Sequence, residues 1–224
     1  MKHRTVTGRI SYRRSDGWLR GHETFHLTVH SGGDRTIRSV SEIYDSGILR
    51  DVTYTVDRNW RPRDAAIRLR IHDEFVGSSW FRFDGQRAEC EAYLADGGRV
   101  SQRISLDVPV ATFNPHPVQV DMWHFGPYDH DGEQVQTLKV LTASPLHDGA
   151  SGPMLAALDL PIEHVGRETL TVEAGTFVTE HYRFLHEGDW PPQDAWCYGD
   201  DLILVRMDWE FTATRYELVE LSPS

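Results

Sequence analysis

Residues 51–57, Asp-Val-Thr-Tyr-Thr-Val-Asp, alternate polar and apolar side chains without a break. Successive side chains of a β-strand point to opposite faces, so this pattern predicts a strand with one packed face and one solvated face. The same alternation recurs in residues 65–72, 177–185, 201–211 and 215–221. No window of a dozen residues shows the 3.6-residue period of an amphipathic helix. The sequence therefore predicts an all-β protein built on one large antiparallel sheet.

Turn residues such as Asp84-Gly85 and Ser15-Asp16-Gly17 separate the predicted strands. Glycine adopts the positive φ that tight hairpin turns require, so these turn sequences favour antiparallel pairing of the strands on either side. The predicted strands are 5–12, 21–30, 35–44, 48–56, 65–71, 80–83, 87–94, 100–106, 135–141, 168–173, 177–185, 202–211 and 215–221.

The alternation is interrupted between about residues 107 and 161, where seven of the eleven prolines lie. Proline cannot donate to a β-ladder, so we expect most of this segment to cover the sheet rather than to join it. Residues 135–141 are the one clear strand inside it, and residues 154–158 are compatible with a single helical turn. We see no repeat and no domain boundary, and we predict one domain over residues 1–224.

The net charge and the aromatic content of the chain indicate which classes of partner it binds. The chain has 23 basic and 34 acidic residues and a net charge of -11, which disfavours nucleic acid and anionic membranes. Seven Trp, nine Phe and eight Tyr supply bulky surface for a core or a pocket. We therefore expect a hydrophobic or aromatic small molecule as the partner, with homodimer formation left open.

The location expected from the sequence is the cytoplasm. No apolar run approaches the roughly 20 residues that cross a bilayer, and the first residues lack the apolar core of a signal peptide. Only Cys90 and Cys197 are present, which favours two free thiols over a required disulfide.

Residues 113–127 hold the best local candidates for catalysis. His116 lies between Pro115 and Pro117, which restricts its backbone. Asp121 and His124 are three residues apart, so the carboxylate could orient the imidazole if the chain turns. Such a pair provides a general acid or base near neutral pH. The alternative is that these are loop residues satisfying buried backbone groups.

Two further candidates lie near the C-terminus. His181 would be a second proton carrier, and Arg206 would stabilise negative charge through its fork of donors. The alternative for Arg206 is a structural ion pair with Asp208. Aromatic residues are expected to form the ligand-binding walls; these are Tyr54, Trp80, Trp123, Phe125, Trp196 and Tyr198.

Neither a metal nor an organic cofactor is indicated. His22, His26 and His30 are four residues apart on a predicted strand, which separates neighbours by roughly 13 Å, too far for one ion. The sequence contains no nucleophile elbow, phosphate loop or dinucleotide fingerprint.

Two sets of segments resemble known bacterial proteins. Residues 51–63 and 77–85 resemble bacterial glycolipid-binding proteins. Val172-Glu-Ala-Gly-Thr-Phe, His181-Tyr-Arg-Phe and Leu204-Val-Arg-Met are similar to uncharacterised bacterial β-roll proteins. Both groups share a shape with outer-membrane lipoprotein carriers and with a cofactor-free enzyme of the violacein pathway. The resemblance implies a strongly curved, lipocalin-like half-open barrel whose concave face holds a hydrophobic molecule.

Two functions follow as expectations. The first is binding of a hydrophobic or aromatic small molecule in the concave cavity of the half-barrel. The second is a cofactor-independent lyase, isomerase or hydratase that acts on a hydrophobic or phenolic substrate by His and Asp acid-base chemistry in the same cavity.

Overall fold

The computed structural model describes residues 3–186 and 190–223. Fifteen strands dominate it, and the one α-helix among these residues is short. The strands are β1 (Arg4–Arg14), β2 (Leu19–Val29), β3 (Arg35–Ile43), β4 (Ile48–Val56), β5 (Pro62–Ile71), β6 (Glu74–Asp84), β7 (Arg87–Leu94), β8 (Gly98–Ser105), β9 (Thr112–Asn114), β10 (Val135–Thr142), β11 (Ala156–Val172), β12 (Gly175–Phe184), β13 (Gln193–Tyr198), β14 (Ile203–Trp209) and β15 (Thr214–Pro223). Helix α1 (Val118–Asp121) continues into a 3₁₀ turn over Met122–Phe125, and a second 3₁₀ turn spans Glu210–Thr212.

All fifteen strands belong to one strongly curved sheet that is not closed into a barrel, as the sequence predicts. Its order is β8-β7-β6-β5-β4-β3-β2-β1-β15-β14-β13-β12-β11-β10-β9. Every neighbouring pair is antiparallel except β9 and β10, which are parallel. The first and last strands pair at the centre, with Arg14 opposite Thr214. The strands β1–β8 and β9–β15 are therefore two halves joined along the β1–β15 pair.

The edge at β8 is linked back to the other half of the sheet. The side chain of Gln102 on β8 donates to the carbonyl oxygen of Leu155 at 3.3 Å and accepts from the Leu155 N–H at 2.8 Å. Leu155 directly precedes β11. These two hydrogen bonds connect the β8 edge of the sheet to the residue that precedes β11.

The predicted strands are largely confirmed, and 48–56 and 87–94 match β4 and β7. The predicted helical turn at 154–158 is wrong, because β11 begins at Ala156 and runs for 17 residues. Pro161 is tolerated inside β11. Its carbonyl oxygen accepts from the N–H of Leu185, which lies just after the end of β12. The nitrogen and carbonyl of one strand residue face the same side, so the proline nitrogen also faces a point where β12 has ended and needs no strand partner. Strand β13 was not predicted, since prolines precede it and its alternation is weak.

The segment between β9 and β10 packs into the concave face of the sheet. Trp123 lies 5.6 Å from the ring of Tyr54 on β4, centroid to centroid. Phe125 stacks on Tyr182 of β12 at 4.2 Å and on Phe184 at 4.8 Å. These rings are buried and belong to the single hydrophobic core. The helical segment 118–125, which we call the plug, therefore fills the sheet from the inside and contacts both halves.

The carboxylate of Glu23 on β2 holds the N-terminal end of the plug, although its side chain is fully buried (0 % exposed). Its Oε2 accepts from the Val118 N–H at 2.8 Å and from Tyr12 Oη at 2.9 Å. Ser41 Oγ donates to the same oxygen at 3.4 Å, and the Gln119 N–H donates to Oε1 at 3.4 Å. Because the first N–H groups of a helix have no partner within the helix, an acceptor here removes a large desolvation cost.

The other side of the plug is fixed by Gln119, which is also fully buried. Its Nε2 donates to the Leu202 carbonyl oxygen at 2.9 Å, and its Oε1 accepts from the Leu204 N–H at 3.0 Å. Glu23 lies in the N-terminal half of the sheet and Leu204 in the C-terminal half. The plug is thus hydrogen-bonded to both halves as well as packed between them.

Substituting Glu23 by alanine is expected to lower the free energy of unfolding by about 3 kcal/mol or more, since buried donors lose their acceptor. Urea unfolding followed by near-UV circular dichroism measures the loss. The control is Glu220→Ala, a strand carboxylate with 70 % side-chain exposure, which is expected to change stability by about 0.5 kcal/mol or less. An equal effect of the two substitutions would show that the Glu23 contacts do not hold the plug.

Candidate functional site

A cavity of about 850 Å³ opens between the plug and the concave face of the sheet. Its walls come from both halves of the sheet, from strands β1–β4 and β8 on one side and β9–β15 on the other, and from the loops before β9 and after β10. Much of the lining is apolar; it includes Ile43, Val118, Val140, Leu160, Phe184, Met207 and Trp209. Exposed apolar residues of the same lining include Val108, Leu146, Leu158 and Trp190.

One part of the lining is polar and at least half-buried. We call it the polar wall and define it by Tyr12, Arg50, His116, Asp121 and His124, all of which line the cavity. Tyr12 and Arg50 come from inward-facing positions of β1 and β4. Asp121 and His124 come from the plug, and His116 from the turn just before it. Three of the five residues predicted as catalytic therefore meet in one place.

Arg50 is a buried cation, with 2 % exposure. Its guanidinium donates to the carbonyl oxygens of His116 at 3.3 Å and of Asp148 at 2.5 Å. Within the described part of the chain, no carboxylate oxygen lies within 4 Å of it. Burial lowers the pKa of Arg50, and the nearby Tyr12, Asp148 and Glu23 oppose this effect. Arg50 thus fastens two loops to the sheet beside the cavity.

The carboxyl group of Asp121 is unusual for an acidic side chain. Burial raises its pKa well above the ordinary value, and the carboxylate of Glu23 raises it further, against an opposing effect of Arg50. Its Oδ1 is buried and has no hydrogen-bond partner among the described residues. Burial therefore favours the protonated form of the Asp121 carboxyl group.

The imidazole of His124 is held by Thr112 and not, as expected from the sequence, by Asp121. Thr112 Oγ1 lies 2.5 Å from His124 Nδ1, and Nε2 has no partner within residues 3–186 and 190–223. Thr112 reaches the ring because β9 places it against the 3₁₀ turn, which no spacing in the sequence reveals. Burial lowers the pKa of His124 to about 3, so its ring is neutral at pH 7.

His116 has a strained backbone, with a φ of 75° in the left-handed region that non-glycine residues rarely adopt. Its N–H donates to Asn114 Oδ1 at 2.6 Å, and its carbonyl oxygen accepts from Arg50. Burial and the charge of Arg50 lower its pKa to about 3. Its Nε2 lies 3.3 Å from the Ser144 carbonyl oxygen, so the ring donates to the loop after β10. Strain of this kind is concentrated at functional sites in proteins.

The other two predicted catalytic residues, His181 and Arg206, lie on the outer face of the sheet and do not line the cavity. His181 Nε2 lies 2.8 Å from Asp194 Oδ1, and its ring stacks on Trp196 at 4.3 Å. Arg206 Nε donates to Asp208 Oδ2 at 2.8 Å, and the guanidinium lies 5.2 Å from the Trp196 ring centroid. The structural ion pair is therefore the role that the contacts of Arg206 support.

None of the six aromatic residues predicted to bind the ligand lines the cavity. Tyr54, Trp123 and Phe125 are buried in the core beneath it. Trp80 and Tyr198 are exposed, at 46 % and 42 %, and Trp196 contacts His181 on the outer face. Trp80 lines a separate shallow groove across β2–β8. The aromatic walls of the cavity are instead Phe184, Trp190, Trp209, Tyr12 and Tyr216.

Arg50 and Glu23 were not identified from the sequence, although the alternation of their strands contains a signal for both. Arg50 occupies the same strand face as Ile48, Val52 and Tyr54, and Glu23 shares the face of Phe25. A charged residue in the apolar phase of a strand is costly unless it has partners. Such a residue therefore indicates a buried polar site even when its partners are distant in sequence.

The part of the chain that the structure describes was also searched for metal sites, reactive thiols and membrane-spanning helices. No group of three His, Cys, Asp or Glu side chains is arranged to hold a metal ion. Cys90 and Cys197 are buried free thiols, and burial raises their pKa values to about 11 and about 12. None of the described helices has the length and apolar character to cross a membrane.

Acid destabilisation is expected to depend on His124. Its pKa is about 3 in the folded protein and about 6.5 in the unfolded chain. Between these values the unfolded state binds more protons, so the free energy of unfolding decreases as the pH falls, by up to about 1.4 kcal/mol per pH unit for each such histidine. His124→Gln should make this decrease shallower between pH 6 and pH 4 in urea titrations.

The control for that experiment is Thr112→Val, which removes the hydrogen bond and keeps the imidazole. It should lower stability at every pH and leave the pH slope as in the parent protein. The buried acids Asp121 and Glu23, whose pKa values are raised, act in the opposite direction and are common to all three proteins. An unchanged slope in His124→Gln would contradict the neutral state of this ring.

Comparison with known proteins supports the fold and nothing narrower. No family model and no curated protein matches the chain. A β-barrel-like protein of a domain of unknown function, DUF1849, from Brucella abortus is similar in structure, with a TM-score of 0.57 and 10% identity over 99% of this chain and 97% of that one. A DUF1089 family protein from Pseudomonas aeruginosa has a TM-score of 0.50 and 10% identity over 85% and 90%. This chain thus has the fold of β-barrel-like bacterial proteins.

Proposed function

We propose that this protein binds a hydrophobic or aromatic small molecule in the cavity between the plug and the sheet. The observation that carries the proposal is a cavity of about 850 Å³ that combines apolar walls with the polar wall. Small-molecule sites typically have volumes of about 300–1,000 Å³ and combine apolar walls with a few polar groups. The volume suits a ligand the size of a medium-chain lipid or a polycyclic aromatic compound.

The exposed apolar residues of the cavity lining also support a path by which a ligand enters. Leu146, Leu158 and Trp190 line the cavity and are between 38% and 48% exposed, so apolar surface continues from the inside to the solvent. Trp190 is stacked on Phe211 at 4.8 Å and lies 5.8 Å from Trp209. A hydrophobic molecule would exchange exposed apolar contacts for buried ones along this path.

Filling the cavity tests the proposal. Ala157 lines the cavity from β11 and is solvent-exposed, so Ala157→Trp adds bulk without disturbing the core. Binding of the uncharged dye N-phenyl-1-naphthylamine, followed by fluorescence, is expected to weaken about tenfold or more in this variant.

The matched control is Val178→Trp, at a position on β12 that is 56 % exposed and does not line the cavity. This control should bind the dye like the parent protein. Absence of dye binding to the parent protein, together with no co-purifying molecule in native mass spectrometry, would contradict the proposal.

A second function is favoured by one observation: the pKa values of Asp121 and His124 in the polar wall are shifted in opposite directions. Burial raises the pKa of Asp121 and lowers the pKa of His124 to about 3, so the uncharged form of both groups is favoured. Two titratable groups whose pKa values are displaced in this way can serve as acid and base. The alternative proposal is a cofactor-independent lyase, isomerase or hydratase in which Asp121 donates a proton and His124 or His116 accepts one.

Turnover measurements distinguish catalysis from binding alone. For any substrate found by screening, His124→Ala is expected to reduce kcat by roughly 10²–10⁴, the usual contribution of a placed acid or base. His181→Ala provides the comparison, because its contacts lie on the outer face, and turnover should persist. Normal turnover in His124→Ala would remove His124 from the mechanism.

A further inference from the structure

We infer that the protein has a second binding site, in a groove on the outer face of the sheet, for a small molecule that combines a flat apolar ring with an anionic group. The groove crosses β2–β8, has a volume of about 830 Å³, and shares no described lining residue with the cavity. Its exposed side chains alternate with core residues along each strand, as Ala66 and Trp80 do beside Ile67 and Phe81. The inference is therefore independent of the function proposed for the cavity.

The apolar part of the groove is centred on Trp80 of β6, which is 46 % exposed. Of the seven tryptophans, Trp80 alone makes no ring contact or cation–π contact within the described part of the chain. Trp18, Trp60 and Trp196, by contrast, each lie against an arginine. Tyr93 on β7 adds a second ring that is 60 % exposed. Exposed apolar surface of this kind, collected in one groove, is typical of a binding site.

The strand register places short side chains next to Trp80. Ala66 lies directly opposite Trp80 across β5 and β6, and Thr53 on β4 lies opposite Ala66. Arg38 on β3 follows in the same row, opposite Thr53. Since adjacent strands are about 4.8 Å apart, the Cα atoms of Arg38 and Trp80 are separated by roughly 14 Å. The floor between them carries only short side chains, so a flat molecule can lie across it in contact with the indole.

A guanidinium without a counter-ion lies beside this floor. Arg68 is two residues after Ala66 on β5, which makes it the diagonal neighbour of Trp80, at about 7–8 Å and within reach of long side chains. Within the described part of the chain, the guanidinium of Arg68 has no ion pair and no hydrogen bond. Its donors are therefore free, and a guanidinium binds a planar anionic group through two parallel hydrogen bonds.

The charge of this half of the sheet also favours an anion, although the whole chain is acidic. Residues 1–105, which contain β1–β8, hold 18 of the 23 basic residues and 14 of the 34 acidic residues. Three arginines and two carboxylates line the groove; they are Arg38, Arg68, Arg99, Asp51 and Glu91. Arg99 is paired with Glu91 at 3.3 Å. Asp51 lies opposite Arg68 on β4, so we expect the anionic group on the other side of Arg68, towards Trp80.

The shape of the groove selects a small molecule over a second copy of this chain. Two concave grooves placed face to face would leave the space between them unfilled. The volume of about 830 Å³ instead lies in the range of small-molecule sites, about 300–1,000 Å³.

Two dyes that differ only in one sulfonate test this inference at pH 7 and low salt. 8-Anilinonaphthalene-1-sulfonate is N-phenyl-1-naphthylamine that carries a sulfonate group. We expect the sulfonate dye to bind the parent protein, and to bind about fivefold or more weakly to Arg68→Gln and to Trp80→Ala, because each variant loses one anchoring contact. Both variants should bind N-phenyl-1-naphthylamine like the parent, since neither residue lines the cavity.

Two further variants serve as controls for charge. Arg13→Gln removes one positive charge at an exposed position of β1 that lines neither the groove nor the cavity, and it should leave binding of the sulfonate dye unchanged. Asp51→Asn removes the carboxylate opposite Arg68 and is expected to strengthen binding of the sulfonate dye about twofold or more. Near-UV circular dichroism checks that all variants are folded.

The outcomes distinguish this site from the cavity. Absence of sulfonate-dye binding to the parent protein, or equal binding to the parent, Arg68→Gln and Trp80→Ala, would overturn the inference. Equal weakening in Arg13→Gln would show a general effect of charge, and loss of binding in Ala157→Trp would place the sulfonate dye in the cavity; either result also contradicts the inference. Failure of N-phenyl-1-naphthylamine to bind affects only the function proposed for the cavity.

Discussion

The buried carboxylate of Glu23 is the interaction on which the rest of the structure depends. It is fully enclosed and accepts hydrogen bonds from two side chains of the sheet and from two backbone N–H groups of the plug. Burying an ionised group is expensive, and hydrogen bonds from several donors are what offset that cost. The carboxylate therefore fixes where the helical segment enters the concave face. It also raises the pKa of Asp121, in addition to the larger effect of burial.

The position of the plug determines the shape of the cavity. Packing of Trp123 and Phe125 fills one part of the concave face, and Gln119 joins the plug to the β14 backbone. The remaining space lies beside Asp121 and His124 on one side and beside the apolar residues of β11–β14 on the other. One short helix thus gives the protein both its core and a cavity with a polar end. An antiparallel sheet of this curvature without a plug would present an open apolar trough.

Much of the fold can be predicted from the sequence, because strand alternation and glycine turns are local signals. The bounds of β4 and β7 are examples. The candidate site was predicted only in part. His116, Asp121 and His124 were identified from local spacing, whereas Thr112, Arg50 and Glu23 join them through the tertiary fold. The Glu23 contact with Val118 spans 95 residues. The aromatic residues expected to form the walls lie in the core or on the outer surface, because bulk alone does not distinguish a core ring from a cavity ring.

The pairing of the first strand with the last one has a consequence for synthesis on the ribosome. Strands β1–β8 form a meander in which each strand bonds to its sequence neighbour, so this half can assemble as it emerges. Its β1 edge stays open until β15 appears, about 110 residues after β8 ends at Ser105. At the usual rate of about 5–20 residues per second, that edge is exposed for roughly 5–20 s. An unpaired strand edge is a template for association with other chains, so this interval is when the nascent protein is most exposed to aggregation.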